Sequence, residues 1–107
     1  MSAGEKPLHV QVAEALGWEG LTVTPMGELR GSHDGLYLPV PHYDTDWAAT
    51  GPLIEKLKMW VFPDQHAKEF YWEATIEPGP EAISAEGPTP LAAVCHLILA
   101  LKAAGKL

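Results

Sequence analysis

The chain has 107 residues, 47% of them apolar and 20% charged, with a formal charge of −7 and a single arginine, Arg30. That length supports one domain over residues 1–107 with one core. The acidic balance argues against a nucleic-acid polymer as partner, because neutralising phosphates takes clustered Lys and Arg.

No stretch approaches the ~20 apolar residues that span a bilayer, so no membrane association is expected. No apolar run follows Met1–Lys6 to act as an export signal, and the one cysteine, Cys95, has no internal disulfide partner. The expected setting is therefore cytoplasmic. Ten prolines and ten glycines make irregular connections a large share of the chain.

In chain order, Pro7 suits the first position of a helix whose apolar face carries Leu8, Val12 and Leu16. Gly17 stops that helix in the left-handed conformation open to glycine, and Trp18 folds back on its last turn. Leu21–Thr24 alternates as a short strand, and Leu36–Leu38 as another. Between them Pro25, Gly27, Gly31 and Gly35 mark a long loop or a loose hairpin. Pro39-Val40-Pro41 then forms a stiff, extended approach.

The following stretch organises the rest. Asp44 or Thr45 is placed to cap a helix beginning near Asp46, and Trp47, Gly51, Ile54 and Leu57 recur at helical spacing. Pro52 either bends that helix or opens a second one after Ala49. Met59–Phe62 reads as a strand ended by Pro63, and Asp64–Lys68 as a turn. Phe70, Trp72, Ala74 and Ile76 then alternate with Tyr71, Glu73 and Thr75, the signature of a strand with one buried face. Residues 77–88 show no period. Thr89 as N-cap and Pro90 behind it open a last helix with Leu91, Val94, Cys95, Ile98 and Leu101 on its buried side. Ala92, His96, Ala100 and Ala103 lie opposite, and Gly105 is the stop. The economical packing of these elements is an α+β fold, a small antiparallel sheet flanked by helices.

Several chemistries lack their motif. Ser32, Ser84, Thr45 and Thr50 sit in no nucleophile elbow, and Cys95 points into the core of the last helix. No phosphate-binding loop occurs, and Pro88 and Pro90 remove N–H groups from the last helix start. A phosphate would have to rely on Arg30, Lys56, Lys58 or Lys68. His33, Asp34, His42, Asp44 and Asp46 are metal-ligand types without metal-site spacing, so no metal or cofactor is assigned. Tyr43 and Trp47, beside His42 and a helix start, are the best candidates to stack on a planar ligand. Trp72 is read as core.

The run Tyr43-Asp44-Thr45-Asp46-Trp47-Ala48-Ala49-Thr50-Gly51-Pro52-Leu53-Ile54-Glu55-Lys56 resembles the signature of the phage ABA sandwich domain family. It is also similar to the NinX-type accessory proteins of lambdoid phages. Leu8–Trp18 and Thr89–Cys95 agree with the same resemblance, which covers most of the chain apart from residues 20–41 and 77–87. Members typically carry serine where this chain has Asp44. The resemblance implies an α/β/α sandwich and a phage origin, hence the cytoplasm of a bacterial host.

The resulting expectation is a non-catalytic phage accessory protein, not an enzyme, that sequesters a small nucleotide-like molecule used in host defence signalling. Its ligand-binding residues would be Tyr43, Trp47, Asp46, His42, Arg30 and Thr45, in a homo-oligomer. The alternatives are a protein–protein interaction module and a small metal-assisted hydrolase built on His33, His42 and the nearby aspartates.

Overall fold

The computed structural model describes residues 6–66, 69–76 and 82–107. Among the described residues three helices are separated by two runs of three strands: α1 (Leu8–Ala15), β1 (Glu19–Val23), β2 (Leu29–His33), β3 (Leu36–Pro39), α2 (Trp47–Lys56), β4 (Met59–His66), β5 (Glu69–Ile76), β6 (Ile83–Gly87) and α3 (Pro90–Ala103). The strands form two antiparallel three-stranded sheets, β1-β2-β3 (sheet A) and β4-β5-β6 (sheet B). The α+β class expected from the sequence holds, with the strands divided between two sheets where one was expected.

The core is built around α3. It packs against all three strands of sheet B and against α1 and α2. Leu91, Ala92, Ala93, Val94, Cys95, Leu97, Ile98 and Leu101 are all buried, so the helix is enclosed around most of its circumference. Ala92 therefore lies against sheet B and not on an open alanine face. Gly87 explains how β6 comes so close: a Cβ there would sit 2.6 Å from the Ala93 nitrogen and 2.9 Å from the Ala92 carbonyl carbon.

The stops of α1 and α3 follow from glycine. Gly17 and Gly105 have positive φ, and the N–H groups of Trp18 and Lys106 return to Ala13 O and Leu101 O. The Thr89 hydroxyl accepts from the Ala92 N–H, which makes it the cap expected from the sequence. At α1, Pro7 stands one residue earlier than expected: it is extended (φ −55°, ψ 152°), and the helix begins at Leu8.

Three strand expectations need correction. Residues 29–33 form β2, which makes sheet A a meander instead of a long loop. Its second hairpin turns on Asp34-Gly35, both with positive φ, the pair that suits a two-residue turn. Pro63 does not end β4, which continues to His66 in register with β5. β4 is an edge strand, where a missing N–H need not cost a ladder bond. Residues 83–87 form β6; the rest of the expected loop at 77–81 and the turn residues 67–68 lie outside the described residues.

Candidate functional site

The turn before α2 is drawn tight. The His42 carbonyl accepts from both Thr45 N–H (3.0 Å) and Asp46 N–H (2.8 Å). The Asp46 carboxylate then caps α2 by accepting from Ala48 N–H at 3.0 Å, so Asp46 holds the capping role that Asp44 or Thr45 was expected to fill. The helix runs unbroken through Pro52.

This turn sends its side chains in different directions. Tyr43 is only 6% exposed and is locked from both ends. Its hydroxyl accepts from the Trp18 indole N–H at 3.1 Å, and its carbonyl accepts from the buried Thr50 hydroxyl at 2.6 Å. Burial pushes its phenol pKa up, partly offset by the Trp18 hydrogen bond. The ring expected to stack on a ligand is thus a core residue, because a buried phenol is held wherever its polar end finds a partner. Trp47 does the reverse and is 54% exposed. Thr45, Asp46 and His42 are exposed beside it in sequence.

Arg30 belongs to a different surface. It pairs with Glu28 at 2.7 Å and lies 5.1 Å over the Tyr37 ring on sheet A. Its neighbour Gly31 occupies the opposite face of β2, where a Cβ would come within 3.3 Å of the Trp18 ring. His33, also on that face, stacks on Trp18 at 4.9 Å with the planes 8° apart. Its Nδ1 lies 3.6 Å from Asp34. Neither His33 nor Asp34 belongs to the group of ligand-type side chains described next.

His42 and Asp44 come together with a residue that the sequence alone did not single out, His9 on α1. The His9 and His42 rings are 4.5 Å apart between centroids, and nitrogens of both lie within 4.8 Å of each other and of an Asp44 carboxylate oxygen. One Asp44 oxygen, Oδ1, is buried and has no hydrogen-bond partner among the described residues. Loss of solvent holds the His9 pKa below its usual value, helped by His42 and opposed by Asp44. Beneath them the Cys95 thiol is pushed up to about 12, first by burial and then by the Asp44 carboxylate. Nothing in the spacing of the chain links residue 9 to residues 42–44; only the docking of α1 does so.

One groove adjoins α1, and another lies on sheet B beside α3. The first, of about 430 Å³, lies between α1 and sheet A, with Val10, Leu21, Val23 and Leu29 as apolar walls and Lys6, His9 and Glu14 as its polar groups. The other, of about 620 Å³, is lined by Glu69, Tyr71, Glu86, Gly87, Pro88 and His96. Two carboxylates make this second groove unfavourable for a phosphate. Here the Tyr71 hydroxyl donates to Asp64 at 3.2 Å, and a His96 ring nitrogen lies 2.6 Å from the Glu86 carbonyl.

The molecule is a small α+β domain of a kind found in a phage protein from Bacillus cereus ATCC 14579. That crystal structure is similar over 100% of this chain and 96% of its own, with a TM-score of 0.65 at 15% identity. At the level of sequence, residues 3–102 match the family described as Bacteriophage P22, NinX, and the chain belongs to that family. No curated protein matches it. Among the described residues, no helix is long and apolar enough to cross a membrane.

Proposed function

We propose that this phage protein is a non-catalytic binding protein of the host cytoplasm that captures a small nucleotide-like molecule in the groove between α1 and sheet A. The groove carries the reading. Its volume of about 430 Å³ suits a small ligand, and its apolar walls suit a flat ring. Its polar groups are His9 and Lys6, the latter paired with Glu14 at 2.7 Å, so a ring or carbonyl group fits it better than a free phosphate. His42, in ring contact with His9, connects the groove to the turn that leads to the exposed Trp47. The acidic surface at large disfavours nucleic-acid polymers and leaves small ligands as the fitting class.

Self-association is supported by β3, an edge strand whose Leu36, Tyr37 and Leu38 are 59%, 54% and 39% exposed. The same strand favours a second reading, in which the domain is an interaction module for another protein. Light scattering of the pure chain tests the homo-oligomer directly.

Calorimetry against a panel of linear and cyclic nucleotides tests the capture. At least one should bind, and it should be recovered intact after the protein is denatured, which separates capture from hydrolysis. Val23→Glu puts a carboxylate at a largely exposed groove position and should weaken capture at least about tenfold, equivalent to ~1.4 kcal/mol. Loss with Trp47→Ala alone would move the ligand to the start of α2. Silence across the whole panel would sink capture and leave the interaction module.

A further inference from the structure

We infer that His9, His42 and Asp44 form a binding site for one divalent transition-metal ion of the zinc type. This does not rest on nucleotide capture, and it concerns a cluster that no sequence motif announces.

Geometry carries the inference. Two imidazole nitrogens and a carboxylate oxygen, one from each residue, already lie within 4.8 Å of one another. Ligands bound tetrahedrally at about 2.0–2.1 Å from zinc sit about 3.3 Å apart, so the set must contract by ~1.5 Å at most. Side-chain rotation can supply that, most freely at the exposed His42. His9 is carried by α1, which packs on α3, and Asp44 by a turn closed through the His42 carbonyl.

A second, independent feature points to a cation. Asp44 Oδ1 is buried with no hydrogen-bond partner among the described residues, a costly state for a carboxylate oxygen. A positive ion bound by Asp44 through that oxygen would satisfy it. The ligand types choose the metal: imidazoles favour zinc, copper or nickel, whereas magnesium and calcium prefer oxygen alone. Three protein ligands leave a fourth position for water or another donor.

The test uses the whole chain, free of any histidine tag and stripped with chelator, titrated with zinc chloride by calorimetry. One ion per chain should bind, and cobalt chloride should give the visible absorption of a tetrahedral site. His42→Ala and Asp44→Asn should each weaken zinc binding at least about tenfold. His33→Ala, outside the cluster, should bind as the parent does. His42 is exposed, so its replacement should leave the metal-free melting curve in place and separate loss of a ligand from loss of fold. Absence of zinc binding, or parental affinity in both His42→Ala and Asp44→Asn, would overturn the inference.

Discussion

The indole N–H of Trp18 donates to the hydroxyl oxygen of Tyr43 across 3.1 Å, and both side chains are buried. Through this bond the residue that follows α1 is tied to the turn that precedes α2. Tyr43→Phe keeps the ring and deletes the acceptor, leaving a buried indole N–H unpaired. The expected loss is about 1–3 kcal/mol, measured by urea unfolding. Ligand or zinc affinity of the folded variant should stay close to the parent, because the phenol belongs to the core.

Gly87 and Gly51 make a contrasting pair. A Cβ at Gly87 would meet the backbone of Ala92 and Ala93 at 2.6–2.9 Å, and backbone in a helix cannot swing aside. Gly87→Ala should cost about 1–3 kcal/mol or more by prising β6 from α3. At Gly51, within α2, a Cβ meets nothing within 4 Å. Gly51→Ala should therefore stabilise by about 0.5–1 kcal/mol. Paired thermal melts check both signs.

Cys95 gives a pH dependence with a definite direction. Its thiol pKa is pushed from the ordinary 9.0 to about 12 in the fold, so the unfolded chain releases its proton first as pH rises. Stability should fall above pH 9, approaching a slope of about 1.4 kcal/mol per pH unit from this group, until the folded thiol also ionises near 12. Cys95→Ala should flatten the onset near pH 9. Tyr43, also raised, acts in the same direction from higher pH. In the native state the thiol should resist alkylating reagents at neutral pH and react only on unfolding.

Asp46 is tested through its capping bond. Asp46→Ala removes the acceptor for Ala48 N–H and should destabilise by ~1 kcal/mol, whereas Asp46→Asn should retain most of the cap. Unfolding curves of the two variants distinguish the cap from a ligand role: a cap is restored by asparagine, and a contact that needs the negative charge is not.

Much of the architecture was readable from local chemistry. The Thr89-Pro90 start and Gly105 stop of α3, the Gly17 stop of α1 and the existence of β5 each depend on a few adjacent residues, but the expected alternation of β5 fails at Phe70, which is exposed. β2 and β6 escaped because they are short and rich in small residues. Gly31 is the clearest case: it reads as loop, yet it lies in a central strand because Leu21 and Trp18 occupy the space a side chain would need. Asp34-Gly35 was the available signal for the β2–β3 hairpin.

By itself the sequence determined the class of fold, both ends of α3, the glycine stop of α1 and the phage family, because such caps, stops and periodicity are settled within a turn or two of chain. It also named His42 and Asp44 as residues with binding chemistry. Only the tertiary structure decided that Tyr43 is core and Trp47 surface, and that Arg30 stands on a separate face. It alone set His9 beside His42 and Asp44. The reason is physical: where a polar aromatic or an imidazole ends up depends on partners supplied by distant elements, and those partners exist only once α1, the turn and α3 have packed together.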